Sequence, residues 1–299
     1  MGNHFNKIAI LGRDGDPRVA ELMTALAAHL PKTGVEVLAA DTLSLNLQVT
    51  RVAESALADQ ADLFIAIGGD GTMLYAGNLA RDKGVPLLGI NRGRLGFLAD
   101  VTPDEMLDSV DHVLAGNFSR ESRLLLEARL IRADGEEITA VALNDVVLQR
   151  RKTGRMVDFE TRVAGRYVNT HSGDGLIVAT PTGSTAYALS CGGPIIEPQL
   201  DAVVIVPVCP HTLTDRPIVI PASQAIEVRL LKRDDTNAEI SVDGHSIGAI
   251  HPKDRLLIGP ASSRITLIHP PGYDFYGVLR SKLYWGQDSR IRNDDARTE

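Results

Sequence analysis

Short apolar runs alternate with amphipathic segments over residues 1–120. Four runs have the length and β-branched content of buried strands, at 7–12, 35–40, 63–67 and 87–90. The pattern predicts helices at 19–30, 52–58, 72–81 and 102–115, the last of them opened by a capping box. Strand and helix alternate at the spacing of a parallel α/β sheet, in which ligands bind at the carboxyl ends of the strands.

The hydrophobic period changes at Ser122. Alternating or continuous apolar stretches predict strands at 122–132, 138–149, 156–164, 167–172, 202–208, 226–231, 239–243, 256–258 and 264–269. The Gly-containing pairs at 134–135 and 165–166 are typical of hairpin turns. Helical pattern returns only near Thr185 and over 273–283. A β-rich domain of layered sheets is therefore expected after the α/β domain.

These patterns predict three segments. An α/β domain covers 1–120, a β-rich domain covers 121–270, and a C-terminal segment covers 271–299. The last segment is expected to return a helix to the first domain and to end in a polar, disordered tail from Arg290.

Composition narrows the function. The net charge of −7 argues against nucleic acid as a partner, because phosphate binders usually carry a basic face. No apolar stretch approaches the roughly 20 residues of a membrane span, and residues 1–7 lack the apolar core of a signal peptide. We therefore expect a soluble cytoplasmic protein with no membrane partner. Cys191 and Cys209 are expected to be buried, inert thiols, and no histidine or cysteine spacing predicts a dedicated metal site.

The most informative stretch is Gly68–Thr72, which follows the strand at 63–67 and precedes a helix. Three glycines around one aspartate allow a sharp turn and a close approach to a ligand. Amide groups of such a turn, beside a helix N-terminus, are free to bind phosphate oxygens. Asp70 would repel phosphate unless it has a task of its own. The alternative is a tight turn with a solvated aspartate.

Three other stretches carry candidate chemistry. Asn144 and Asp145 interrupt an apolar run, where they either bind a ligand or form a turn between two short strands. Residues 172–187 combine Gly-Asp-Gly with hydroxyl groups before a short helix, which favours an anion or ribose site. Plain capping by Ser184 is the alternative there. Residues 91–98, rich in Gly and Arg after a strand, either hold phosphate or form a surface loop. The turn at 12–15 lacks a dinucleotide fingerprint and is treated as ordinary.

Gly-Gly-Asp-Gly-Thr at 68–72 resembles the signature of a kinase superfamily that includes NAD kinases, diacylglycerol and sphingosine kinases, and phosphofructokinases. The stretches 91–98 and 172–187 resemble NAD kinases in particular. The resemblance covers nearly the whole chain. It implies a Rossmann-like α/β domain followed by a β-sandwich, and a homodimer or homotetramer.

The resemblance also implies a reaction, the ATP-dependent phosphorylation of the adenosine ribose 2′-hydroxyl of NAD to give NADP. Asp70 would be the general base, and Mg²⁺ would arrive with ATP. His245 stands where many bacterial members have glutamine, which leaves its role open. The residues assigned to ligand binding are Gly68, Gly69, Asp70, Gly71, Asn91, Asn144, Asp145, Arg155, Asp174, Thr182, Thr185, Ala186, Tyr187, Ala188, Leu189, Ser190 and His245.

Two other functions use the same features. A lipid-type kinase shares the 68–72 motif, although 91–98 and 172–190 do not support it and the sequence shows no apolar helix for a membrane surface. A non-catalytic dinucleotide sensor would keep the same binding residues. An assay for NADP formation separates the three.

Overall fold

The structure is a computed structural model that describes residues 3–93, 96–151, 156–232 and 238–285. The chain divides into two compact units. The first unit is Met1–Glu121 with Thr266–Glu299, and the second unit is Ser122–Ile265.

The N-terminal part of the first unit alternates strands and helices. The C-terminal part of the chain adds one strand and one helix to the same unit. Its elements are β1 Lys7–Gly12, α1 Pro17–His29, β2 Glu36–Ala40, β3 Thr50–Val52, α2 Leu57–Gln60, β4 Leu63–Ile67, α3 Asp70–Ala80, β5 Leu87–Ile90, α4 Met106–Leu114, β6 Ser119–Arg123, β19 Ile265–His269 and α6 Phe275–Leu283. Single 3-10 turns extend α1 at Leu30–Thr33, precede α2 at Glu54–Ala56 and extend α3 at Arg81–Lys83.

The sheet of the first unit has seven strands in the order β3-β2-β1-β4-β5-β19-β6. The pairs from β3 through to β19 are parallel. The β3-β2-β1-β4-β5 part is the Rossmann order, in which the direction of winding reverses between β1 and β4. All five residues of β4 are buried, because helices cover both faces of such a sheet. The carboxyl ends of β1 and β4 therefore form the topological switch point, where ligands of α/β sheets bind.

The second unit is antiparallel. Its elements are β7 Leu126–Ile131, β8 Glu137–Ala142, β9 Asp145–Arg150, β10 Val157–Val163, β11 Arg166–Gly173, β12 Gly175–Ala179, α5 Tyr187–Ser190, β13 Ala202–Val208, β14 Ile218–Pro221, β15 Ile226–Leu230, β16 Ala238–Val242, β17 His245–Ile250 and β18 Arg255–Pro260. A 3-10 turn, Gly183–Thr185, precedes α5.

Two six-stranded sheets, β11-β10-β15-β18-β7-β8 and β14-β13-β12-β9-β16-β17, build the second unit. Inward-facing side chains of both sheets share one core, which includes Leu130 and Phe159 from one sheet and Leu148 and Val178 from the other. The opposite face of the second sheet carries a smaller core, where Ile177 and Val206 pack with Ala188 of α5 and Ile196. The unit is a β-sandwich with one helical segment on its outer face.

The expected fold class, Rossmann-like α/β plus β-sandwich, is confirmed. Several element predictions were wrong in detail. The stretch 138–149 is two strands, because the chain breaks at Leu143 and Asn144, and 122–132 is likewise split between β6 and β7. The strand at 264–269 is β19, which pairs with β5 in the parallel sheet and not with the sandwich. Strands β3, β14 and β17 were not predicted at all.

Two further expectations failed. The helix after the capping box begins at Met106, because Thr102 donates its hydroxyl to the Glu105 carboxylate (2.7 Å) within a preceding turn. The cysteines are not both buried, since Cys209 is exposed and Cys191 is half-buried. The polar tail from Arg290 lies outside the described residues.

Candidate functional site

A cavity of about 580 Å³ lies at the switch point of the first unit. Its walls include the end of β1 and the turn after β4. Gly12, Arg13 and Asp14 come from the first of these, and Arg92 follows β5. The turn at 12–15, treated as ordinary from the sequence, is therefore part of the cavity wall.

The glycine turn of 68–71 has two kinds of glycine. A Cβ on Gly68 would meet the Thr72 Oγ1 at 2.1 Å, so the fold itself requires glycine there. A Cβ on Gly69 or Gly71 would meet nothing within 4 Å. Both of these line the cavity, and helix α3 begins between them. Internal packing does not require glycine at either position. The missing side chains instead leave room for a ligand to approach the backbone closely.

Asp70 is half-buried at the start of α3, and it is more than a solvated turn residue. Its carboxylate accepts hydrogen bonds from the backbone N–H groups of Phe97 (3.1 Å) and Leu98 (3.0 Å). Gly96 is held equally close, since a Cβ there would lie 2.3 Å from the Asp70 Oδ1. A carboxylate has about four acceptor sites, so two bonds leave room for a ligand hydroxyl. The assignment of Asp70 as a base stays a prediction.

The loop after β5 is organised by Asn91. Its side chain is buried, donates to the Val101 carbonyl (2.9 Å) and accepts from the Gly93 N–H (2.8 Å). The structure thus gives Asn91 a role in shaping the cavity wall. Arg92 pairs with Asp16, the N-cap of α1, and this guanidinium lowers the pKa of Asp16. Residues 94 and 95 of this stretch lie outside the described part of the chain.

In the second unit, Asn144 and Asp145 lie at the break between β8 and β9, where the chain turns at residues 143–145. The Thr180 hydroxyl donates to the Leu143 carbonyl (2.5 Å), and the Thr180 N–H donates to the Asn144 carbonyl (2.9 Å). Gly183 packs so closely that a Cβ would lie 2.1 Å from the Asn144 oxygen. The predicted turn between two short strands is therefore present, and it contacts the loop at 180–183.

The two side chains at this break are available to a ligand. Neither the Asn144 carboxamide nor the Asp145 carboxyl has a hydrogen-bond partner among the described residues. Asp145 is only 7% exposed, and burial, together with the nearby Asp243 charge, raises its pKa to about 6. A buried carboxyl without a donor is costly, so its presence favours a ligand site. Such perturbed groups cluster at functional sites.

The other residues of the second unit that were assigned to ligand binding differ in burial and in their hydrogen-bond partners. Thr182 is buried and accepts a hydrogen bond from Arg123 (3.2 Å), while Thr185 donates to the Thr182 carbonyl (3.1 Å). Tyr187 is 43% exposed. Burial, together with a hydrogen bond to Cys191, raises the pKa of Tyr187.

Helix α5 carries Ala188, Leu189 and Ser190, of which Ala188 is fully buried. Ser184 does not cap this helix, since its hydroxyl donates to the Pro181 carbonyl (2.6 Å) and accepts from the Ile196 N–H (2.9 Å). The turn residue between the two short helices is Ala186.

Asp174 pairs with Arg150 (2.8 Å) in the turn between β11 and β12. His245 is exposed at the start of β17, with its Nδ1 3.1 Å from the Asp243 carbonyl. Arg155 lies outside the described residues.

Sequence reasoning did not single out several wall residues of the cavity, among them the polar side chains of Arg13, Glu54 and Tyr75. The Tyr75 pKa is raised by burial and by its hydrogen bond to Glu54. Their only sequence signal is position, because each lies near the end of a strand or one helical turn from the glycine motif. No cluster of three potential metal ligands occurs among the described residues. No helix in the described part of the chain is long and apolar enough to cross a membrane.

A Rossmann-ordered sheet with a glycine-rich turn at its switch point, joined to a β-sandwich, defines a class of nucleotide-binding proteins with two units. Comparison with known proteins specifies the family. The model of the ATP-NAD kinase N-terminal domain matches residues 8–118, and that of the ATP-NAD kinase C-terminal domain matches 143–269. The chain belongs to the NAD kinase family.

Similar proteins agree. The NAD kinase of Nitrosococcus oceani is 40% identical over 96% of this chain and 99% of its own. That of Burkholderia lata is 41% identical over 99% of both. Yeast NADH kinase complexed with NADH has the same fold, with a TM-score of 0.86 over 96% of this chain and 89% of its own, at 24% identity. An NAD kinase from Archaeoglobus fulgidus in complex with ATP has a TM-score of 0.70 over 92% of this chain and 99% of its own, at 27% identity. The chain is a phosphotransferase of this family, and neither a lipid kinase nor a sensor is favoured.

Proposed function

We propose that this chain transfers the γ-phosphoryl group of ATP to the adenosine ribose 2′-hydroxyl of NAD, giving NADP and ADP. The observation that carries the proposal is the glycine turn of 68–71 at the switch-point cavity, with the Asp70 carboxylate held by two backbone amides. Rigid placement matters because phosphoryl transfer is accelerated mainly by positioning and charge neutralisation.

Asp70 acts as the general base. The ribose oxygen forms a bond to the γ-phosphorus, the bond from that phosphorus to the β,γ-bridging oxygen breaks, and ADP leaves with the electron pair. A carboxylate is far too weak a base to form an alkoxide beforehand, so it accepts the hydroxyl proton as the new bond develops. The hydrogen bonds from Phe97 and Leu98 keep the carboxylate in one orientation for this transfer.

The donor phosphates bind at the cavity of the first unit. The amides of Gly69 and Gly71 have open space before them, and the N-terminus of α3 favours negative charge. Arg13 and Arg92 line the same cavity and supply positive charge. A divalent cation, Mg²⁺ in our proposal, would arrive bound to ATP and would neutralise charge on its phosphates.

NAD is recognised through the polar side chains of the second unit. Asn144 and Asp145 offer an amide and a carboxyl that no described residue engages, and such groups suit ribose hydroxyls. Asp174, Thr182, His245, Arg155 and Thr185–Ser190 complete the proposed set, together with Asn91 of the first unit.

One assay tests the reaction. The purified chain is incubated with NAD, ATP and Mg²⁺, and NADP is detected with an NADP-specific dehydrogenase. Matched reactions replace NAD by diacylglycerol or by sphingosine. NADP formation without lipid phosphorylation is expected. Transfer to a lipid and none to NAD would overturn the proposal, and tight NAD binding without any NADP would indicate a sensor. The cytoplasmic location also stays a prediction.

A further inference from the structure

The hairpin between β16 and β17 turns through Asp243 and Gly244. Both have positive φ, 47° and 80°, as a two-residue type I′ turn requires. Asparagine or aspartate followed by glycine is the preferred pair for such a turn, because both residues tolerate positive φ. The turn geometry alone therefore does not need a carboxylate.

The Asp243 carboxylate is used elsewhere. It accepts hydrogen bonds from three consecutive backbone N–H groups of Leu143 (2.8 Å), Asn144 (2.8 Å) and Asp145 (3.0 Å). The Asp243 N–H also donates to the Asp145 carbonyl (3.0 Å). These bonds join segments that are about 100 residues apart in the sequence.

The opposite sides of the same peptide groups are held by Thr180, through the Leu143 and Asn144 carbonyls. The break between β8 and β9 is thus fixed from two directions. The side chains of Asn144 and Asp145, which no described residue engages, consequently have set directions. Neither Thr180 nor Gly183 carries a charge, and Arg123 contacts the same loop through Thr182 (3.2 Å). Asp243 is a charged group bonded directly to the break.

We propose that Asp243 is a positioning residue for NAD recognition, which fixes the peptide groups of 143–145 so that Asn144 and Asp145 face the dinucleotide. This inference rests on the proposed function and extends it to a residue that itself needs no contact with NAD.

The charge of Asp243 acts on Asp145 directly. Burial raises the Asp145 pKa to about 6, and the Asp243 carboxylate contributes to that rise. Burial also raises the pKa of Asp243, whereas its three amide bonds and the neighbouring His245 lower it. The ionised form of Asp145 is the stronger acceptor for a ribose hydroxyl, because a protonated carboxyl keeps only part of its acceptor capacity. The KM for NAD should therefore rise as the pH falls through about 6.

The test compares Asp243→Asn with Asp134→Asn. Asp134 also precedes glycine in a hairpin turn of this unit, but among the described residues its carboxylate accepts only the nearby Glu136 N–H (3.1 Å). Asp243→Asn replaces one acceptor by an amide that faces an N–H. We expect the KM for NAD to rise about tenfold, with kcat and the KM for ATP little changed. The pH profile of the NAD KM should also move to lower pH, because the charge that opposes Asp145 ionisation is gone. Asp134→Asn should match the wild type.

A second variant covers the case in which Asp243→Asn does not fold. In Asp145→Asn the rise of the NAD KM near pH 6 should vanish, whereas an unchanged profile in that variant would assign the titration to another group and overturn the coupling. Different results would contradict the two proposals.

A wild type that makes no NADP would contradict the proposed function. A wild type that makes NADP, while Asp243→Asn keeps the wild-type NAD KM and pH profile, removes this inference. Equal rises in the NAD and ATP KM without a displaced profile would make Asp243 purely structural.

Discussion

Asp70 joins two roles in one side chain, because its carboxylate holds the loop at 96–98 and is our proposed base. Asp70→Asn removes basicity and charge while keeping the shape. Losing a general base typically costs about 10²–10⁴ in rate, so turnover should fall by that order. One amide bond from the loop should also be lost, since the new NH₂ group cannot accept, and a modest loss of thermal stability is expected.

Product affinity separates catalysis from folding. NADP carries a phosphate where the hydroxyl was, and at roughly 5 Å with an effective dielectric near 20 each pair of like charges repels by about 3 kcal/mol before screening. Calorimetry on Asp70→Asn should therefore give unchanged or tighter NADP binding, with NAD affinity little moved. Asp82→Asn, on an exposed turn of the same unit, is the control. Surviving turnover would exclude Asp70 as the base, and a joint collapse of turnover and both affinities would make it structural.

Asp145 should lower the stability of the folded chain at neutral pH. Its folded pKa of about 6 lies above the ordinary value, so the folded state holds the proton more tightly than the unfolded state. The free energy of unfolding therefore falls by roughly 3 kcal/mol as the pH rises from about 4 to about 6. Below that window the group is protonated in both states, and the penalty is absent.

Asp145→Asn removes this penalty. The variant should melt several degrees above the wild type at pH 8 and close to it at pH 4, while its NAD affinity falls. Differential scanning calorimetry at the two pH values measures this, with Asp134→Asn as a variant expected to change neither. A stability gain of equal size at both pH values would show that ionisation is not the cause. Gained stability with lost binding is the pattern expected of a ligand site.

At the scale of elements, the close packing of the 180–183 loop on the β8–β9 break is open to test through Gly183. A Cβ there would lie 2.1 Å from the Asn144 oxygen and 2.5 Å from its carbonyl carbon. Both are backbone atoms, so one of the two segments must move. Gly183→Ala should cost about 1–3 kcal/mol of unfolding free energy and raise the KM for NAD.

Gly259→Ala is the matched control for Gly183→Ala. Gly259 lies in β18 of the same unit, and a Cβ there would meet nothing within 4 Å. Urea denaturation and NAD kinetics should leave this variant near the wild type. If the two alanine variants behave alike, the contact between the loop and the break does not determine NAD affinity.

The sequence was most informative where one element carries its own signal. The strand before Gly68 and the helix after it follow from local apolar pattern, and so does the β-rich second half. The break at Asn144 was foreseen as one of two alternatives, because polar residues are disfavoured within a strand. The glycine turn was recognised because its spacing and position are unusual.

What escaped prediction depends on pairing between distant segments. The turn at 12–15 lines the cavity only because β1 lies beside β4 in the sheet order, and no local pattern encodes that neighbour. The same reason hides β19, whose apolar run fits either sheet equally well. Asp243 was predicted as the last residue of the strand at 239–243, while its three bonds reach residues about 100 positions earlier. Tertiary context decides all three.

At the scale of the whole molecule, the family resemblance predicts a homodimer or homotetramer. The second unit offers a surface for it, because the edge strands β11 and β14 expose apolar side chains, Val168 at 40%, Ile218 at 44% and Val219 at 46%. Exposed apolar edge strands favour pairing with another chain.

Light scattering should give a mass that is a multiple of the 32.2 kDa chain. Ile218→Asp should lower that mass, whereas Leu107→Asp, on an exposed position of α4, should not. A wild-type mass of one chain would contradict the prediction, and an unchanged mass for Ile218→Asp would exclude this edge.

The sheet order of the first unit has a consequence for biosynthesis. Strand β19 lies between β5 and β6, yet the ribosome makes it only after the whole of Ser122–Ile265. During translation, β5 keeps an open edge and β6 has no place beside the sheet, a state that invites incorrect pairing or chaperone binding. The sandwich, by contrast, is a continuous stretch of chain. The second unit can therefore fold before the first unit is complete, although the ribosome begins the first unit earlier.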